Sequence, residues 1–257
     1  MIKKEIQKFE ASDILEGMSS ISALIKGMEN NGNNRRILRI LFDEAKIKSK
    51  CRELGFLKAK SMELDFEICL VSSDEIEKIT IGSTHGGIVA ECTSRTLPFL
   101  SSENIAESGV YFILEGVEDP YNFGYAVRSL YAAGVDGIIL GERNWMGAAG
   151  VVARSSAGAS ELVNMYVSEP TTAIEIFKSK GYKVICAGIR DSESIFDTDL
   201  SKPLLVILGG EKRGISRSVL DMADSIVRID YGGEFGGSLS TSAAAAVFGF
   251  EILRFNR

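Results

Sequence analysis

The chain has 257 residues, 29 basic and 35 acidic side chains, and a formal net charge of −6. An apolar fraction of 45 % and a charged fraction of 25 % are ordinary globular values, which exclude a disordered, collagenous or coiled-coil chain. The acidic total also excludes a protein that coats duplex nucleic acid by charge alone, so any nucleic-acid contact must rest on a local patch.

The opening residues Met1–Glu10 carry charge without an apolar segment behind them, so no secretory signal is expected. No apolar run reaches the roughly 18 residues of a membrane helix. The four cysteines, Cys51, Cys69, Cys92 and Cys186, form no C-x-x-C, and the single histidine is His85. A zinc site is therefore not expected, and a reducing, cytoplasmic setting is.

The first elements in chain order suggest a small α/β domain over residues 1–98. Apolar residues from Ile14 to Met28 recur at helical spacing, which predicts a helix. Asn30 to Asn34 reads as a loop, and Ile37–Phe42 as a short buried strand. A helix around Lys46–Leu54 is expected to end at Gly55. Phe66–Val71 and Gly87–Cys92 read as further strands. Ser73 opens a helix with acids in its first turn, which suits the helix dipole. Residues 99–108 are polar and without periodicity, and read as a linker.

From residue 109 to 257, strand and helix alternate. Strands are predicted at Tyr111–Glu115, Gly137–Leu140, Tyr182–Ala187, Leu204–Leu208 and Ser225–Ile229. Helices are predicted at Asn122–Ala133, Thr172–Lys180, Ser218–Ala223 and Ser240–Arg254. Alternation with continuously apolar strands predicts a parallel sheet covered by helices on both faces, so the fold class is α/β.

Charge is unevenly distributed. Residues 35–60 hold nine basic side chains, Arg35, Arg36, Arg39, Lys46, Lys48, Lys50, Arg52, Lys58 and Lys60, against Asp43, Glu44 and Glu53. Such a run is either a solvated face with ion pairs or a phosphate-contacting patch.

In open parallel sheets ligands lie beyond the carboxyl ends of the strands. Three stretches there stand out. In E-D-P-Y-N-F-G-Y-A-V-R-S-L, Asp119 and Pro120 open a helix carrying Asn122 and Arg128, with Val127, Leu130 and Tyr131 as its apolar stripe. In V-I-L-G-G-E-K-R-G-I-S, a buried strand runs into Gly209, Gly210 and Glu211, and Gly214 closes the loop. It is neither a P-loop nor a dinucleotide fingerprint. In Y-G-G-E-F-G-G-S-L-S-T-S-A-A-A-A, glycines precede a hydroxyl-rich helix start suited to capping or to an anion. Each taken singly also reads as ordinary capping and turn chemistry.

Together and in this order, the three stretches resemble the SpoU–TrmH-type RNA ribose 2′-O-methyltransferases of the SPOUT superfamily, over about Tyr111 to Arg254. A-R-S-S-A-G-A-S-E-L, from Ala153 to Leu162, resembles the small-residue segment between that family's first two motifs. The N-terminal half, through E-G-M-S-S-I-S-A-L-I and S-T-H-G-G-I-V-A, is similar to the family's substrate-binding domain, a fold like ribosomal protein L30e. The resemblance implies a trefoil knot, a homodimer through the C-terminal domain, S-adenosylmethionine as cofactor, no metal, and RNA, ribosomal RNA first, as substrate. It implies catalytic roles for Asn122, Arg128, Glu211, Ser238 and Ser240. It also implies cofactor contacts from Gly209, Ile229 and Leu239, with Ala187 at its strand end and Gly214 in its loop. RNA binding is expected from the N-terminal patch, chiefly Arg35, Arg36, Arg39, Lys46 and Lys48. His85 by itself reads as a loop histidine, because a histidine needs partners to act as a base.

The pattern also departs from the family's. Ser240 replaces an asparagine, Gly210 stands for asparagine or alanine, Asp230 for proline, and Gly86 for glutamine; the stretch from Ile229 to Ser238 is one residue longer. These changes motivate a rival reading as an RNA-binding homologue with weakened catalysis. A tRNA methyltransferase is a second rival. A metabolic enzyme on small substrates is a third, although the chain offers no catalytic His, Cys or metal constellation for it.

Overall fold

The computed structural model describes residues 14–30, 32–141 and 148–257. The opening Met1–Glu10 stretch and Asn31 of the expected loop lie outside the described residues. The chain divides into two units. One comprises the described residues up to Thr96 together with 148–162, and the other Leu97–Gly141 together with 163–257.

The first unit has four strands, β1 (Ile14–Glu16), β2 (Ile37–Asp43), β3 (Glu67–Val71) and β4 (Ile88–Cys92), in the order β1-β4-β2-β3. The β2–β3 pair is parallel, and β4 runs antiparallel to both β1 and β2. Side chains alternate across the sheet as the pleat requires. Ile40, Phe42 and Ala90 join the main core with Leu15, Ile21 and Leu24, whereas Leu41 and Val89 pack on the opposite face with Ile76.

Two expectations fail in this unit. Ile14 and Leu15 belong to a strand, paired with Glu91 and Ala90, and the helix α1 (Gly17–Asn30) starts after them. Gly17, at φ +81°, makes the switch between the two. The next helix, α2, spans Cys51–Leu64, and Gly55 lies inside it rather than at its end. Buried Leu54 and Leu57 carry the helix past the glycine, whose propensity cost is only about 1 kcal/mol. The left-handed cap is Asp65 at φ +54°. The third helix, α3 (Ser73–Ile79), starts from a reciprocal capping box between Ser72 and Glu75.

The segment 148–162, distant in sequence, completes this unit. It forms α5 (Ala149–Ser155) and a short 3-10 turn (Ala159–Glu161), and Ala153 is part of the unit's core. Buried and partly buried polar contacts fix it. Glu161 accepts from Asn33 Nδ2 at 2.8 Å and from Arg35 Nε at 3.3 Å. Arg154 donates to Glu16 at 3.1 Å, and Arg95 donates to the Ser160 carbonyl at 2.6 Å. Gly27 leaves room for the segment, since a Cβ there would lie 2.1 Å from the Glu161 carbonyl oxygen.

The second unit is a seven-stranded sheet with every pairing parallel. Its strands are β5 (Val110–Glu115), β6 (Gly137–Leu140), β7 (Met165–Val167), β8 (Lys183–Ala187), β9 (Glu193–Ser194), β10 (Leu204–Gly209) and β11 (Ser225–Arg228). The spatial order is β7-β6-β5-β10-β8-β11-β9, so the sheet winds outward in both directions from β5 and β10. Short β7 and β9 lack the apolar runs that reveal strands in sequence.

Tyr111, Ile113, Leu205 and Ile207 pack on one face with Ala173, Ile174 and Phe177 of α6 (Pro170–Ser179), and Val219 of α7 (Arg217–Leu220) joins them. The alternate residues Phe112, Leu114, Val206 and Leu208 are equally buried, so both faces are covered. The helices α4 (Pro120–Ala132) and α8 (Thr241–Phe255) approach closely at Gly249, where a Cβ would lie 3.0 Å from that of Ala133. The stretch read as a linker is integrated into this unit. Phe99 bridges to Val167, Leu100 and Ile105 are buried, and the Ala106 N–H donates to the Tyr111 hydroxyl at 3.0 Å.

Candidate functional site

The winding reverses between β5 and β10, and in open parallel sheets ligands bind beyond the carboxyl ends of strands at such a reversal. After β5, Asp119 caps α4 by accepting from the N–H groups of Tyr121 (2.7 Å) and Asn122 (3.0 Å), with Pro120 at the first helical position. This cap fixes the first turn and with it Asn122. The Asn122 amide donates to Glu211 Oε1 at 3.0 Å, joining residues 89 positions apart. The two polar groups singled out in separate motifs thus meet across the reversal.

The loop after β10 folds tightly back. The Gly214 N–H donates to the Gly210 carbonyl at 3.0 Å, and the Gly210 N–H to the Glu115 carbonyl at 2.7 Å. Gly214, at φ +63°, takes the left-handed conformation the turn needs. Neighbouring backbone leaves no space for side chains: a Cβ on Gly209 would lie 2.5 Å from Gly214 C, and one on Gly210 would lie 2.0 Å from the Gly116 carbonyl oxygen. The family's alanine or asparagine at position 210 would therefore displace the β5 loop in this chain. Gly210→Ala is expected to lower stability by about 1–3 kcal/mol, measured as a shift of the urea midpoint; an unshifted midpoint would show that the Gly116 backbone yields freely.

Beside this turn, Lys212 pairs with Glu118, and the Lys212 hydrogen bond holds the Glu118 carboxyl below its ordinary range. Arg128 projects from α4 as an exposed side chain, with no side-chain hydrogen bond or ion pair among the described residues. Val127 and Leu130 are buried as the helical spacing predicts, but Tyr131 is exposed and the stripe is completed by Phe123 and Ala126.

The third motif is tied to the second by Thr241, whose hydroxyl donates to the Gly209 carbonyl at 2.8 Å and is buried. Sequence reasoning missed it, because Thr241 is one of several hydroxyl residues in succession. Ser240 caps α8 by accepting from the Ala243 N–H at 3.3 Å. Ser238 is exposed. The Leu239 N–H donates to the Tyr231 hydroxyl at 3.2 Å. Ala187 pairs with Val227, and the Gly188 N–H continues the ladder to the Val227 carbonyl at 3.0 Å, so the ends of β8, β10 and β11 lie side by side. Ile229 follows β11 directly and is partly buried. Burial, with Glu115 nearby, pushes the Cys186 thiol up to about 12, which leaves it protonated and unreactive at neutral pH.

The first unit redistributes the expected basic patch. Arg35 is 1 % exposed and is bonded to Glu161 and to the Thr93 carbonyl, so it is a core cation and not a surface contact for RNA. Its charge gave no hint of burial, because the partner Glu161 lies more than a hundred residues away in sequence. Arg39 is paired in a fork with Glu91 at 2.5 and 3.1 Å, which raises its pKa further. Arg36, Lys46 and Lys48 remain exposed. His85 accepts from the Gly87 N–H through Nδ1 at 3.1 Å, in a turn where Gly86 (φ +61°) and Gly87 (φ +78°) are both left-handed. The glutamine usual at position 86 in the family would be strained there.

Among the described residues no cluster of His, Cys, Asp and Glu could hold a metal ion, and no helix is long and apolar enough to cross a membrane. Residues 109–250 match the model of the SpoU rRNA Methylase family. A 23S rRNA (guanosine-2′-O-)-methyltransferase RlmB of Shewanella oneidensis is 28 % identical over 251 residues, covering 95 % of this chain and 98 % of the relative. The AdoMet-bound crystal structure of an rRNA methyltransferase from Sinorhizobium meliloti shares the fold at TM-score 0.75 and 20 % identity, over 94 % of this chain and 86 % of the other. The SpoU methyltransferase AviRb from Streptomyces viridochromogenes, in complex with AdoMet, does so at TM-score 0.76 and 18 % identity over 97 % of both chains.

Proposed function

The chain belongs to the SpoU rRNA methylase family, and on that footing we propose that it transfers a methyl group from S-adenosylmethionine to a ribose 2′-hydroxyl of structured RNA, ribosomal RNA in the first place. The observation that carries this reading is the Asn122–Glu211 bond across the sheet reversal, beside the close-packed glycine loop of β10. The S. oneidensis relative, named for 23S rRNA, matches along nearly its whole length and favours ribosomal RNA over tRNA.

In this reading S-adenosylmethionine is held beyond the carboxyl ends of β8, β10 and β11, which are neighbours in the sheet, by main-chain groups of Ala187, Gly209 and Gly214 and by the apolar Ile229 and Leu239. S-adenosylmethionine, when bound, supplies an activated sulfonium methyl. The protein's task is then to align the 2′-hydroxyl and favour its ionisation. Arg128 acts as a cationic fork, holding a phosphate and stabilising the developing alkoxide while the hydroxyl proton passes to water. Glu211 fixes the Asn122 amide, and Asn122 orients the nucleotide. Ser238 and Ser240 flank the start of α8.

In the same reading the N-terminal residues, through Arg36, Arg39, Lys46 and Lys48, recognise structured RNA by loops and shape. The molecule works as a cytoplasmic homodimer through its C-terminal domain, whose exposed Tyr125 and Phe250 offer apolar contact. A trefoil knot in that domain belongs to the same reading.

The test is methyl transfer from labelled S-adenosylmethionine to unmodified ribosomal RNA and tRNA pools, read by nucleoside mass spectrometry. A 2′-O-methyl nucleoside in ribosomal RNA is expected. Product in tRNA alone would replace the substrate. No product with cofactor binding intact would mean a missing cognate RNA or a lost activity, which Ser240→Asn would separate, and no product without cofactor binding would favour the RNA-binding rival.

A further inference from the structure

Residues 230–239 join β11 to α8 and include four glycines. Glycines give such a segment wide conformational freedom, yet three contacts hold it. At its base, the Ser194 hydroxyl and Arg228, whose Nε donates at 2.8 Å, bind the Asp230 carboxylate and keep it below the usual range. The Tyr231 hydroxyl, accepting from the Leu239 N–H at 3.2 Å, closes the two ends. Phe235 lies against Tyr231, with ring centroids 5.7 Å apart and planes at 52°. Its edge rests over Gly237, where a Cβ would come within 2.6 Å of Phe235 Cζ.

The ring is thus held in place while Phe235 stays 59 % exposed. A phenylalanine fixed in water adds little to folding, since it buries little apolar area. A rigid aromatic face is what an unstacked nucleobase needs. Asp230 is already paired with Arg228, and the loop's other charged group, Glu234, is acidic and repels phosphate, which leaves the base rather than the backbone as the complementary part of RNA. The added residue and the Asp230 anchor are the two places where this stretch departs from the family pattern.

We infer that Phe235, backed by Tyr231, is a stacking seat for a base of the RNA substrate. The inference rests on the methyltransferase reading above and adds a specificity residue to it. The same flat heteroaromatic chemistry exists in the cofactor's adenine, and the experiment separates the two.

Phe235→Ala, Phe235→Leu and Phe235→Trp would be compared with the unmodified full chain. The readouts are KM and kcat on unmodified ribosomal RNA, the Kd for S-adenosylmethionine by calorimetry, and the fluorescence of a short single-stranded RNA carrying 2-aminopurine. The alanine and leucine variants are expected to raise KM for RNA about 5- to 150-fold, the range of one lost base stack. The cofactor Kd should stay unchanged, tryptophan should restore KM, and 2-aminopurine quenching should vanish with the ring. A parallel rise in the cofactor Kd would assign the seat to adenine and overturn the inference. Unchanged KM and quenching in the alanine variant would make Phe235 a plain surface residue. If the unmodified chain methylates nothing, the function reading fails by itself, and the 2-aminopurine signal still decides the stacking question.

Discussion

Arg128→Ala is expected to reduce kcat for methyl transfer by about 100- to 1000-fold, the usual loss when one group that stabilises developing charge is removed. Stability should not change, because the side chain is exposed and makes no hydrogen bond or ion pair among the described residues. Cofactor affinity should not change either, since Arg128 lies on α4 and not on the loops of β8, β10 and β11. Arg128→Lys keeps the charge but loses the planar fork that grips phosphate or alkoxide at two points. It is expected to recover only a minor part of the rate. Single-turnover transfer with labelled cofactor, beside a melting curve, measures both effects. Near-normal transfer by the lysine variant would reduce the role of Arg128 to simple charge.

The largest effect on stability is expected from Glu161. Its carboxylate accepts from Asn33 and Arg35, and the side chains of the Arg35–Glu161 pair are 1 % and 4 % exposed. Glu161→Ala removes the buried carboxylate that Arg35 and Asn33 share, at a cost of about 3–5 kcal/mol. That is a large share of the ~5–15 kcal/mol typical of folded proteins. Urea unfolding followed by circular dichroism reads the change. The double variant Arg35→Met with Glu161→Leu should recover much of the loss, because a buried ion pair can often be exchanged for apolar packing at little net cost. An equal loss in the double variant would locate the cost in packing rather than in charge.

What could be read from the sequence follows from how local each signal is. The β10 strand was legible because a strand buried on both faces must be continuously apolar, and Leu204–Leu208 is. The start of α4 was legible because its cap, Asp119–Pro120, is contiguous in sequence. The Ile14–Met28 helix failed at its beginning because β4 pairing, a tertiary term, outweighs apolar spacing. Gly55 misled for the same reason, as core contacts of Leu54 and Leu57 override a local stop. In the site, order and spacing of motifs pointed to Asn122 and Glu211 separately. Their contact depends on β5 and β10 being neighbours, which no local pattern states. The burial of Arg35 was hidden because a charged side chain reads as surface until its partner is known.

The participation of residues 148–162 in the N-terminal core bears on how the chain is made. A domain whose sequence is contiguous can fold as soon as it leaves the ribosome, N-terminal part first. Here Ala153 and Glu161, which complete the N-terminal core, emerge only after β5, α4 and β6 have been made. Until then Glu161 is not present to accept from Arg35 and Asn33. The two units are therefore interleaved in time as well as in sequence. The N-terminal unit is encoded in two pieces on either side of β5 and β6, so a transplant of the first piece alone would arrive without residues 148–162.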